Sequence, residues 1–244
     1  HSVVRRQRQM CIRDRTNHIQ TIYLGSGCFW GAEKGYEALD GVINAKSGYA
    51  NGYGVSPNYR SIIQLKNKFN KNNFAEVVEV TFNNNFITVE EILMHFFESH
   101  DPTQYNRQGN DIGTQYRSTI LYSDDDQKEI AEMLKKKYQN LLSDYGYGSI
   151  KTIIEPLDNF YLAEEYHQDY LKKNPNGYCP DLSTGIVFNK EEIKPLDNTD
   201  LTKGKHILVI DSRNYCPYCE KLKSDVTNDY KGSIPMTYRT SDQL

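Results

Sequence analysis

Long hydrophobic runs are missing from this 244-residue chain. Its apolar stretches, such as Thr21–Leu24, fall far short of the roughly 20 residues a spanning helix needs. Charge of one sign is missing too. The net charge is −3, which gives no broad attraction to nucleic acid or to an anionic membrane surface. Cysteine is scarce, with five residues in all, too few for a disulfide scaffold in a chain of this length. Tryptophan occurs once, at Trp30. What remains is ordinary for a globular protein, with 38% hydrophobic and 25% charged residues. That is enough chain for a sizeable core and for one or two domains. Tyrosine is the exception. Nineteen of them mean that a single tyrosine is weak evidence of a site.

The first residues read as foreign. Arg5–Asp14, RRQRQMCIRD, can be encoded by consecutive codons of an adapter used in transposon-based sequencing libraries. Residues 1–15 are therefore expected to be an assembly artefact and stand outside the fold argument. Cys11 drops out with them. Cys28, Cys179, Cys216 and Cys219 remain, one CxxC pair and two distant singles, which is a redox pattern.

Periodicity and turn residues divide the rest. Strands are expected at His18–Leu24, Val42–Tyr49, Phe74–Phe82, Tyr116–Tyr122 and Ile150–Glu155. Helices are expected at Phe29–Leu39, Thr88–Ser99, Asp124–Ser143 and Tyr161–Lys173, with Tyr59–Lys66 a short helix or turn. Thr88 and Glu91 have the spacing of a capping box. Asp101–Gln115 is a long polar loop. After Phe188 the composition shifts: Asn189–Lys205 reads as a linker. Then come a strand at His206–Ile210, the motif Cys216-Pro217-Tyr218-Cys219 and a helical stretch.

Five places could carry chemistry. Cys28 sits in GSGCFWG, where a tight glycine turn leads a strand into a helix. Backbone N–H groups and the dipole at a helix start favour a thiolate. A small buried apolar cysteine fits the same residues, and these residues alone leave both readings open. Glu76 shares strand parity with Phe74, Val78, Val80 and Phe82, so its carboxyl points with the apolar set. Burial there would raise its pKa and suit a general acid; an edge-strand glutamate in water is the alternative. RQGNDIGTQYRS, Arg107–Ser118, is a functional loop or a solvated one. Cys179 lies in an irregular stretch beside Pro180, and spacing alone pairs it with nothing. Cys216 and Cys219 follow a strand and open a helical stretch, a thioredoxin-type redox arrangement. Half of a zinc site is the rival, but no second pair stands at zinc-finger spacing.

Taken together, GCFWG, GYANGYGVSPNYRSI, FAEVV, SHDPTQYNRQGNDIGTQYRS and NPNGYC occur in one order over residues 18–188. In that order they resemble methionine sulfoxide reductase A. The resemblance implies an α+β fold, a two-layer sandwich with a ferredoxin-like core. It implies that Cys28 attacks the sulfoxide sulfur and that Glu76 protonates the oxygen, which Tyr59 and Tyr116 hydrogen-bond. Phe29 and Trp30 would wall a pocket for the methyl group, and Asp111 would hold the substrate backbone. The substrate would be the S epimer, free or in oxidised proteins, with one enzyme type per epimer. Cys28 would pass through a sulfenic acid to a disulfide with Cys179, recycled by thioredoxin, with no bound cofactor, no metal and no nucleic acid or membrane partner. Cytoplasm is the expected compartment. Two departures stand out. Asn73-Phe74 replaces a Gly-His pair common among relatives, and Ser183–Ile186 lacks a second recycling cysteine.

Residues 206–244 resemble the start of a thioredoxin-like domain with a CPYC centre. The segment is expected to be truncated and not to fold independently. In a full-length version it would be a fused electron donor. The alternative function is a general thiol-disulfide oxidoreductase driven by Cys216 and Cys219.

Overall fold

The computed structural model describes residues 18–178, 180 and 182–188, with the backbone of two strands further on. Cys179, Cys216, Cys219, the first fifteen residues and the linker expected at 189–205 lie outside the described residues. The chain divides into two compact units, His1–Phe188 and Asn189–Leu244.

The first unit is built on a six-stranded sheet. Its strands are β1 (Ile19–Gly25), β2 (Val42–Ala50), β3 (Ala75–Asn83), β6 (Thr119–Tyr122), β7 (Ile153–Pro156) and β8 (Phe160–Leu162). The order is β7-β6-β1-β3-β2-β8. β3 lies antiparallel between β1 and β2, and β6 is antiparallel to β1. The inner four strands therefore have the β6-β1-β3-β2 order of a ferredoxin-like core. β7 joins β6 in parallel and β8 joins β2 antiparallel.

Helices α1 (Phe29–Glu37) and α3 (Val89–Glu98) are the two crossovers. Ile22, Leu24, Val78, Val80, Phe82 and Ile120 meet Phe29, Tyr36, Leu93 and Phe96 in one fully buried cluster. Each such side chain contributes about 1.5–3 kcal/mol by leaving water. The opposite parity of β3 carries Ala75 and Val77 into a smaller cluster on the other face. Helix α4 (Asp125–Asp144) adds Leu134, Tyr138 and Leu142 to the main core. The capping box of Thr88 and Glu91 forms as the spacing predicts.

Three expectations need correction. Tyr161–Lys173 is not one helix. It holds β8, a run of turns, and the four-residue α5 (Tyr170–Lys173). Long-range bonds win over local propensity here: Ala163 N donates to Ser47 O, and Gln168 Nε2 donates to Ser47 O and Ala163 O. The strand expected at Tyr116–Tyr122 is only β6, preceded by a 3₁₀ turn at Thr114–Tyr116. The loop Asp101–Gln115 contains a two-residue hairpin, β4 (Arg107–Gln108) with β5 (Asp111–Ile112). In the second unit, β9 (Ile207–Asp211) pairs in parallel with β10 (Met236–Thr240). Cys216 and Cys219 lie between these two strands in the sequence.

His100 is buried and bonded at both ring nitrogens, to Phe96 O and to Ser118 Oγ, each at 2.7 Å. Burial pushes its pKa down to about 4. The unfolded chain therefore takes up this proton first, near pH 6.5. The stability tied to neutral His100 is present above that pH and is lost as pH falls toward about 4. In His100→Gln, the loss of urea stability over this window is expected to be shallower than in wild type. Equal slopes contradict the assignment.

Candidate active site

The site is built where β1 turns into α1. Gly27 makes that turn with φ +100, and a Cβ there would stand 2.7 Å from the Gln108 side chain. Only glycine meets both demands. Cys28 is the residue that caps α1, in extended conformation and partly buried. Gln108 itself is clamped. Its Nε2 donates to Asp101 O at 2.7 Å, and its Oε1 accepts from Asp101 N at 3.2 Å. The β4–β5 hairpin is thereby fixed against the glycine turn.

Glu76 lies on the helix-facing side of β3, as its parity predicts, and is 2% exposed. Phe29 N, in the first turn of α1, donates to its Oε2 at 3.3 Å. This bond brings the carboxyl beside the backbone of Cys28. Oε1 has no hydrogen-bond partner among the described residues. Burial, with the charge of Asp111 adding, pushes the pKa up to about 8. At neutral pH this is a protonated acid.

Two phenols complete the group. Tyr59 opens the short helix α2 (Tyr59–Ile62), and Tyr116 ends the 3₁₀ turn. Burial raises both phenol pKa values, and Glu76, Cys28 and Asp111 raise them further once ionised. Both therefore remain O–H donors. The structure thus brings Cys28, Glu76, Tyr59, Tyr116 and Asp111 together. Among the described residues no three His, Cys, Asp or Glu side chains converge as a metal site, and no helix is long and apolar enough to cross a membrane.

Phe29 and Trp30 differ in setting. Phe29 is buried against Tyr49 and His167. Trp30 is partly exposed, stacked on Tyr170 at 3.8 Å, and its Nε1 donates to His167 Nδ1 at 3.0 Å. His167 and Glu164 were not legible as site residues. Glu164 accepts from the Tyr49 hydroxyl at 2.6 Å and from Tyr59 N at 3.0 Å. Glu33 is another hidden support. It is buried and accepts from Ser47 N and Asp169 N, tying α1 to β2 and to the start of α5. A glutamate in mid-helix carries no signal that would separate it from a surface one.

Asn73, one of the departures noted above, is buried and donates to Ile62 O and Asn67 O. Its own carbonyl accepts from Arg117, whose guanidinium also donates to Thr114 O and Asn51 O. One buried cation thus joins three loops around Tyr116. Beside Cys28 lies a cavity of about 260 Å³, lined in part by Ser26, Gly31, Asp111, Tyr178 and Pro180. Tyr178 and Pro180 flank Cys179 in the sequence.

A family model described as peptide methionine sulfoxide reductase matches residues 20–194. The chain belongs to this family. Over 169 residues it is 48% identical to the peptide methionine sulfoxide reductase MsrA of Vibrio cholerae, covering 69% of this chain and 77% of the relative. Over 167 residues it is 46% identical to the mitochondrial peptide methionine sulfoxide reductase of Homo sapiens, covering 68% and 69%. Two solved structures match at TM-score 0.60 and 39% identity. Mxr1 from Saccharomyces cerevisiae in reduced form aligns over 68% of this chain and 91% of its own. Methionine sulfoxide reductase A of Corynebacterium diphtheriae aligns over 71% and 83%. The α+β fold and its ferredoxin-like core are those of the family.

Arg117→Lys keeps the charge but not the planar set of donors, and leaves buried carbonyls unpaired at a cost of about 1–3 kcal/mol. The melting temperature is expected to fall by several degrees, and kcat/KM for a methionine sulfoxide peptide to fall with it. Unchanged values would show that the three-loop junction does not support Tyr116.

Proposed function

We propose that this enzyme, an oxidoreductase acting on methionine sulfoxide, uses Cys28 as nucleophile and Glu76 as acid. The observation that carries this is the buried Glu76, with one oxygen bonded to Phe29 N and the other without a hydrogen-bond partner among the described residues. A buried polar atom without a partner is costly. An incoming sulfoxide oxygen would accept the proton of Glu76.

In this reading the Cys28 sulfur attacks the sulfoxide sulfur while Glu76 gives its proton to the oxygen. Tyr59 and Tyr116 donate hydrogen bonds to that oxygen as its negative charge grows. The Trp30 indole, held by His167 and Tyr170, offers an apolar wall to the methyl group, with Phe29 packed against the same His167 ring. Asp111 takes the substrate backbone. The S epimer, free or in oxidised proteins, is the substrate. Methionine leaves, and Cys28 is left as a sulfenic acid. Cys179 then displaces its oxygen and forms a disulfide.

A dithiol protein of the thioredoxin type reduces that disulfide. The segment carrying Cys216 and Cys219 is a candidate for the same role within one chain, which would raise the donor's effective concentration. The parallel pairing of β9 with β10 supports a thioredoxin-like reading of that segment.

With dithiothreitol as reductant, Cys28→Ser is expected to abolish reduction of a methionine sulfoxide peptide. Glu76→Gln is expected to slow it by about 10²–10⁴-fold. Because the folded pKa of Glu76 is raised to about 8, the methionine-forming step is supported below that pH and declines as pH rises through it. Glu76→Gln should lack this alkaline decline. Activity that survives Cys28→Ser, or a decline that persists in Glu76→Gln, contradicts the assignment.

A further inference from the structure

One carboxylate has no part in the chemistry above, yet both of its oxygens are engaged beside the site. Glu164 stands between β8 and α5. Its Oε2 accepts from the Tyr49 hydroxyl at 2.6 Å, and its Oε1 accepts from Tyr59 N at 3.0 Å. Tyr49 is fully buried in β2, where it pairs with Glu76 of β3. Partial burial works against the charge of Glu164. The bonds from Tyr49, from its own N–H and from Tyr59 N outweigh it and hold the pKa below the ordinary carboxylate value. The group is therefore an anion at neutral pH, and hydrogen bonds to an anion are the stronger kind.

The sheet sets the place of Glu164 in turn. Ala163 N donates to Ser47 O, and Gln168 Nε2 donates to Ser47 O and Ala163 O. His167 N donates to Glu164 O at 2.8 Å. The same turn brings the His167 ring edge-on to Tyr59, with centroids 4.7 Å apart. Tyr59 is thus held twice from this segment, at its backbone by Glu164 and at its ring by His167. Its own helix holds it weakly. α2 has four residues, and Tyr59 is the first of them; so short a helix has little stability of its own.

We infer that Glu164 is a positioning residue for reduction of the sulfoxide, acting through Tyr59. Its carboxylate ties Tyr59 N to the Tyr49 hydroxyl, and so fixes the start of α2, from which the Tyr59 phenol projects, against β2. This rests on the reading of Tyr59 as a donor to the sulfoxide oxygen. Glu164 itself gives no proton and touches no reacting atom. The bond it aims strengthens as charge grows on that oxygen. Its loss therefore lowers the rate at saturating substrate and leaves ground-state binding nearly as it was.

The test is single-turnover formation of methionine from a methionine sulfoxide peptide, followed by chromatography over a range of peptide concentrations. The proteins are wild type, Glu164→Gln, Tyr59→Phe and the double variant. Glutamine keeps the length of the side chain, but its single carbonyl oxygen cannot stand at both Tyr59 N and the Tyr49 hydroxyl. In Glu164→Gln the rate at saturation is expected to fall on the order of tenfold, with the half-saturating concentration within about twofold of wild type. In the Tyr59→Phe background the same substitution is expected to cost less than about threefold, because no hydroxyl is left to aim. An unchanged rate in Glu164→Gln overturns the proposal. So do penalties that multiply in the double variant, which would mark Glu164 as a structural residue acting elsewhere. Tyr49→Phe repeats the cycle from the far end of the clamp with the carboxylate in place, should Glu164→Gln fail to fold. Its fall should be smaller and should again vanish in the Tyr59→Phe background; a fall that persists there overturns the proposal. If Tyr59→Phe alone is as fast as wild type, the reading of Tyr59 fails, and the role of Glu164 fails with it.

Discussion

Everything in this site depends on one buried carboxyl. Glu76 sits on the apolar face of the central strand β3 and meets the first turn of α1 through Phe29 N. Placing a carboxyl there costs solvation, and the protein answers by keeping it protonated. The same bond places the acid next to Cys28. A strand parity and a helix start thus fix an acid and a nucleophile relative to each other.

The groups around this pair are held by polar contacts that reach across the fold. Glu164 joins Tyr49 to Tyr59. His167 orients Trp30. Glu33 ties α1 to β2 and α5, and Arg117 joins the loops beside Tyr116. Such arrangements hold a reactive constellation in place, so that little reorganisation is needed during reaction. The aromatic side and the polar side match the two ends of a sulfoxide, apolar at methyl and polar at oxygen.

The parts of this site that follow a local rule were legible in the sequence. Cys28 at a glycine-led helix start is one, and Glu76 in register with Phe74, Val78 and Val80 is another. The capping box of Thr88 and Glu91 is a third. The parts built by long-range hydrogen bonds were not. Tyr161–Lys173 has the composition of a helix, yet Ser47 draws Ala163 and Gln168 into contacts that end any helix there. His167 and Glu164 lie in that same stretch, so misreading its structure hid their roles. Asn73 looked like a departure from a family pattern. It proves to be the link between Arg117 and the loop after α2.

The most direct measurement is the protonation of Glu76 itself. Infrared difference spectra of wild type against Glu76→Gln, taken across neutral and alkaline pH, isolate the carbonyl stretch of this one carboxylic acid. That band should persist at neutral pH and titrate near pH 8. A carboxylate already ionised near the ordinary value of 4.5 would leave the site without its acid and contradict the account.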